Sequence, residues 1–166
     1  LTFFNFCKVL LDKYEFNESI MQINGHCNNQ ISPNNESYYF SKLNSTWGWA
    51  TWKRAWSKFT TNMDDYEEMK NTKALNHFYQ NEDIAEWMKK YFEKTFKGKD
   101  KIWSLNWAYC ILKSKGLIIS PFKNLIYNSG FDGSGTSGDS KKFSKFSEIK
   151  VNSIEIINHP NQILYN

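Results

Sequence analysis

The stretch Trp47-Gly48-Trp49-Ala50-Thr51-Trp52-Lys53-Arg54-Ala55-Trp56 places four of the chain's seven tryptophans close together. At helical spacing Trp49, Trp52 and Trp56 share one face while Lys53 points elsewhere, so the segment predicts an amphipathic helix. Gly48 falls at the start of that helix, with Trp47 and Trp49 on either side of it. Indole rings offer large contact area at low entropic cost, so they serve either a core or a binding wall. Trp52 and Trp56 are expected in the core, and Trp47 and Trp49 at the surface.

Upstream of this stretch, Phe3, Phe4, Cys7, Leu10, Leu11 and Tyr14 recur at helical spacing. Residues 20–23 then predict a short buried strand closed by Asn24-Gly25. After a polar loop containing Pro33, residues 38–40 predict a second extended segment. Downstream, a polar connection at 62–65 leads into a helix expected over 66–79, and another over 83–96. In the latter, Ile84, Trp87, Met88, Tyr91, Phe92 and Phe96 face inward. Asp83 lies early, where a negative charge suits the helix dipole, and Gly98 closes the helix.

Trp103, Trp107, Ala108, Ile111 and Leu112 form a further apolar stripe, with Lys113 and Lys115 in its last turn and Gly116 at the C-cap. Short strands are expected at 117–120, stopped by Pro121, and at 125–127. The segment 133–150, rich in Gly, Ser and Lys, reads as a mobile loop. The tail over 151–165 reads as weakly strand-like, with a turn at His159-Pro160. The sum is a helix-rich α/β fold with short strands, a single partial domain over 1–166 that starts in mid-domain.

A chain of 166 residues is long enough to bury a real core. Aromatic residues make up 17% of it, an unusual share; such rings fill cores and also build sugar-stacking walls and partner interfaces, with a core role the default for most. The net charge of +4 comes from scattered Lys and a single arginine, Arg54. A reader of nucleic acid would show clustered Arg, so no nucleic-acid partner is expected. Cys7, Cys27 and Cys110 are too few for a disulfide framework and fit a reducing compartment. His26, His77 and His159 are dispersed and no CxxC occurs, which is no zinc signature. With no apolar run long enough to span a bilayer and no leader, the expectation is a soluble, cytoplasmic chain.

Three segments, in this order and spacing, resemble one group of bacterial family-2-like glycosyltransferases. The first is Ile23-Asn24-Gly25-His26 followed by Tyr38-Tyr39-Phe40-Ser41. The second is the tryptophan stretch, which is close to that group's signature. The third runs from Trp103 through Trp107 to Asn128-Ser129-Gly130-Phe131-Asp132-Gly133-Ser134-Gly135-Thr136. The resemblance covers roughly residues 1–138, and the tryptophan stretch is its specific part.

It implies the C-terminal, acceptor-side portion of a GT-A (nucleotide-diphospho-sugar transferase) fold. The complete enzyme would transfer a sugar from a nucleotide sugar to a glycan or lipid-linked acceptor in surface polysaccharide synthesis. A divalent metal, Mn or Mg, would hold the donor diphosphate, its main ligands on an acidic motif upstream of Leu1 that this chain lacks.

The resemblance also assigns site residues. Trp47, Gly48 and Trp49 would contact the acceptor, with Trp103, His26, Asn128 and Asp132 as further substrate contacts. Arg54 is either a pairing cation or a diphosphate contact. Sugar transfer needs a base for the acceptor hydroxyl. Many relatives carry an acid after the tryptophan matching Trp103, where this chain has Ser104. Asp100 is then a displaced base or a helix cap. Relatives also tend to carry histidine where Ser137 stands, and a hydroxyl is a poorer metal ligand than imidazole. The runner-up reading is a non-catalytic carbohydrate- or protein-binding module that uses the aromatic surface. A bare sheet edge would also allow pairing with a second copy.

Overall fold

A computed structural model describes residues 2–99, 102–132, 149–155 and 157–163. The chain is mixed α/β, a four-stranded sheet with helices on both faces. Helix α1 (Thr2–Lys13) leads into β1 (Ile20–Asn24), β2 (Tyr38–Ser41) and β3 (Trp49–Ala50). Four helices follow: α2 (Lys53–Trp56), α3 (Tyr66–Lys70), α4 (Ala74–Tyr79) and α5 (Glu82–Phe96). Then come α6 (Trp103–Lys113), β4 (Leu117–Pro121) and a 3-10 turn at Ser129–Asp132.

The strand order is β2-β4-β1-β3, with β1 and β4 parallel and both outer pairs antiparallel. Every residue of β1 is buried, as a central strand covered on both faces requires. On one face Tyr38 and Phe40 meet Phe6 and Tyr14 of the α1 region through edge-on ring contacts. On the other, Gln22 meets Trp107 of α6. The expected strands at 20–23, 38–40 and 117–120 all form, each within a residue of its predicted limits.

The tryptophan stretch is not one helix. Trp49 and Ala50 pair with Asn24 and Ile23 as β3, and helix begins only at Lys53. Gly48, at φ +60, redirects the chain, and its carbonyl accepts from Gly25 N at 2.8 Å. Pairing satisfies the outer edge of β1, and that tertiary demand outweighs the local periodicity.

The helix expected over 66–79 is two helices. Thr72 interrupts it by donating its hydroxyl to Met69 O at 2.7 Å and accepting from Ala74 N at 3.1 Å. Such local side-chain bonds compete with the helix ladder. The helix over 83–96 forms as α5, its first turn capped by Asn81, which accepts from Ile84 N at 2.9 Å. Its buried side chains are Ala85, Met88 and Phe92. Trp87, expected inward, is 52% exposed, and Phe4 of α1 is 69% exposed.

Helix α6 ends where expected but by a different residue. Lys115 takes the left-handed conformation at φ +50, and the N–H groups of Lys115 and Gly116 bond Leu112 O and Ile111 O. Gly116 is needed for another reason: a Cβ there would collide with the Met21 side chain. Residues 125–127 form no strand; Leu125 N instead donates to Gly25 O at 3.0 Å. Nor do the described residues of the tail. The tail is tied down by Ser37 N to Asn158 O (2.8 Å) and by Tyr38 Oη against His159 Nδ1 (2.9 Å). Most of the segment expected as a mobile loop, 133–148, lies outside the described residues.

Candidate functional site

Because β1 and β4 run parallel, both chains leave the sheet at the same edge, where open α/β sheets place ligands. Gly25 and His26 follow β1, and Phe122 to Asn124 follow β4. His26 Nδ1 lies 3.2 Å from Asn124 Oδ1, and the imidazole packs edge-on against Trp47 with ring centroids 4.8 Å apart. Burial holds the His26 pKa below its ordinary value, and the bond with Asn124 partly offsets this. The two loops approach so closely that only glycine fits at Gly25. A Cβ there would sit 2.8 Å from Gly48 O and 2.6 Å from Ile126.

Beside this edge stands a continuous aromatic wall. Trp49 lies 5.6 Å from Trp103 and 5.7 Å from Trp56, and Trp56 stacks on Phe59 at 4.5 Å with an interplanar angle of 5°. Trp107, wholly buried, anchors the wall from behind at 5.1 Å from Trp56. Trp103 remains 44% exposed, and Trp56, expected in the core, is 38% exposed with one face covered by Phe59. A sugar presents apolar C–H faces and a rim of hydroxyls, and such a wall suits the former.

Beneath the wall runs a buried polar chain. Trp107 Nε1 donates to Gln22 Oε1 at 2.6 Å, and Gln22 Nε2 donates to Asn24 Oδ1 at 2.6 Å and Ser45 O at 2.9 Å. Asn24 Nδ2 then reaches Ser120 Oγ, whose hydroxyl meets Ser41 Oγ. Gln22 was not singled out, and Asn24 was noted only as the strand end and within the resembling segment at 23–26. Their polar side chains in an otherwise apolar strand were the available signal.

The remaining expected residues are scattered. Arg54 donates through all three guanidinium nitrogens to the carbonyls of Glu15 (2.7 Å), Tyr14 (2.8 Å) and Ile20 (2.9 Å), and stacks on Trp52. It thus ties the end of α1 to the start of β1 and serves as a structural cation. Trp52 is buried and donates to Leu11 O, away from the wall. Ser104 lies in the first turn of α6 beside Trp103, its carbonyl accepting from Asn44 Nδ2. Asn128 accepts from Gly130 N at 3.0 Å, a turn role. Asp132 closes the 3-10 turn, and its side chain lies outside the description. Asp100 and Ser137 lie outside the described residues. Among the described residues no group of three His, Cys, Asp or Glu side chains could hold a metal ion.

A cleft of about 670 Å³ lies elsewhere, lined by Lys42, Asp65, His77, Phe78, Leu112 and Lys113. It is separate from the wall and open at the surface. Asp65, its side chain about half exposed, accepts from Lys113 Nζ and Tyr109 Oη at 2.6 and 2.8 Å. The Lys113 bond, aided by Tyr109, holds its carboxyl below the usual value. A depressed carboxyl pKa contributes stability that is complete above the unfolded value of about 3.9 and is lost as pH falls through the folded value. Acid unfolding curves of the wild type and Asp65→Asn should therefore differ above about pH 4 and converge below it. A gap that stays constant through that window contradicts the assignment.

Comparison with protein-family models, curated proteins and solved structures found no match to the chain.

Proposed function

We propose that this chain is the acceptor-side part of a GT-A glycosyltransferase, one that transfers a sugar from a nucleotide donor to a glycan or lipid-linked acceptor. The observation that carries the reading is the half-exposed wall of Trp49, Trp56 and Trp103 beside the loops that leave β1 and β4. In this account the acceptor sugar lies with its apolar face on Trp103 and Trp56. Its hydroxyls are oriented by polar groups at the sheet edge, near His26. The wall excludes water from one face of the acceptor and holds it in a fixed orientation, which is the larger part of what an acceptor subsite contributes.

When bound, a divalent metal would neutralise charge on the leaving diphosphate. The described residues supply no ligand set for it. The work belongs in the cytoplasm, where sugar nucleotides are made. Among the described residues no helix is long and apolar enough to cross a membrane.

Isothermal titration separates this reading from that of a metal-independent carbohydrate-binding module. The chain alone should bind a free oligosaccharide and should neither bind nor turn over sugar nucleotide, with or without manganese. A longer chain that includes the residues upstream of Leu1 should gain manganese-dependent nucleotide binding. If the longer chain binds glycan alone, the module reading replaces the enzyme.

A further inference from the structure

Helix α5 turns one face away from the fold. Its buried side chains are Ala85, Met88 and Phe92, and Asp83, Trp87, Lys90 and Lys94 lie on the opposite side, all exposed. These four follow one another at steps of four, three and four residues, which keeps them in a single stripe along the helix. Trp87 stands outside the core, its ring steadied by Tyr91 with centroids 4.8 Å apart. A solvated helix face gains nothing from an indole, whereas an interface gains large contact area at low entropic cost.

The charges of α5 divide into two sets. On its flanks Glu86 pairs with Lys89, and Glu93 pairs with Lys97 and with Lys70 of α3. Those in the stripe, Asp83, Lys90 and Lys94, join no ion pair among the described residues. The stripe therefore runs from an unpaired acid in the first turn of the helix, past the indole, to two unpaired bases toward its end.

Such a stripe is complementary to itself when reversed. We propose that the Trp87 face of α5 seats a second copy of this chain, the two α5 helices packing antiparallel about a two-fold axis between Trp87 and Lys90. That axis sets Asp83 of each copy opposite Lys94 of the other, and each indole beside the other copy's Lys90, a cation–π arrangement. Antiparallel packing also places the N-terminus of each helix by the C-terminus of its mate, which suits both dipoles. A uniformly acidic or basic partner would satisfy only one end of the stripe. This pairing is independent of the carbohydrate reading, since it uses none of the wall residues.

A helix of 15 residues is about 22 Å long, and one face of it covers less than the roughly 800 Å² per partner of a stable interface. The dimer is therefore weak, with a Kd of about 0.1–1 mM.

Sedimentation equilibrium up to about 1 mM chain, without glycan, should show monomer passing into dimer and the association weakening in high salt. Trp87→Ala should abolish the dimer. Asp83→Lys alone and Lys94→Asp alone should each weaken it about tenfold or more, because each sets like charges opposite one another. An equal mixture of those two variants should associate again, since opposite charges then face each other at both ends. A chain that stays monomeric throughout leaves the stripe to some other partner and overturns the proposal. A dimer indifferent to Trp87→Ala places the contact on another surface and overturns it too. Charge variants that do not recover on mixing contradict the antiparallel two-fold. None of these results bears on glycan binding at the wall.

Discussion

Replacing Arg54 with alanine is expected to lower the unfolding free energy by about 3 kcal/mol, because three backbone carbonyls lose a charged donor at once. These carbonyls, of Tyr14, Glu15 and Ile20, bracket the turn between α1 and β1. Without Arg54 the carbonyls of Tyr14 and Glu15, just past α1, lose their side-chain donor, and the entry of the chain into its central strand loosens. The guanidinium also stacks on the Trp52 ring at 4.6 Å, and that contact is lost too. In a chain of this size the thermal midpoint should fall by roughly 8 °C. Lysine should recover less than half of the loss, since one ammonium cannot address three diverging carbonyls. A midpoint within a degree or two of wild type for Arg54→Ala would mean that the three bonds do not persist in solution.

The second large effect is expected at Gln22. Its replacement by leucine leaves the indole N–H of Trp107 buried with no acceptor and removes the donor to Ser45 O. Trp107 is 0% exposed, so water does not fill the gap, and the cost should be about 3 kcal/mol. Trp107→Phe removes the other half of the same bond. The double variant should be less destabilised than the sum of the singles by about 1–2 kcal/mol, because pairing two apolar groups leaves neither half of that one bond orphaned. Chemical denaturation of the four proteins gives the cycle. Simple additivity would show that Gln22 and Trp107 do not depend on one another.

What the sequence made legible follows from how local each signal is. Helices α5 and α6 and the strands at 20–24, 38–41 and 117–121 announce themselves through periodicity and stop signals within their own residues. Strand β3 does not. It is two residues long and exists only as the partner of β1, more than twenty positions away. The tryptophan stretch therefore looks like a helix until the sheet edge is considered. Thr72 is similar, since its hydroxyl breaks a helix whose apolar pattern continues across the break.

The candidate site divides in the same way. Trp49 and Trp103 stand in segments that composition alone singles out, and they do meet. Their convergence with Trp56 comes from a turn at Gly48 rather than from one helical face. Asn124 was invisible, because its importance lies in contacts with His26 and Asn29, more than ninety positions away. Arg54 was noticed for its rarity and offered two roles. Only the positions of three carbonyls tell them apart.

The central claim is that the Trp49–Trp56–Trp103 wall is a carbohydrate surface, and its most direct test is a titration that follows the seven indole N–H signals by two-dimensional NMR. Added oligosaccharide should shift Trp103, Trp56 and Trp49 and leave Trp52 and Trp87 unmoved, and Trp103→Ala should abolish saturable shifts at the other two. No shift with any glycan, or shifts centred on Trp87, would contradict the account.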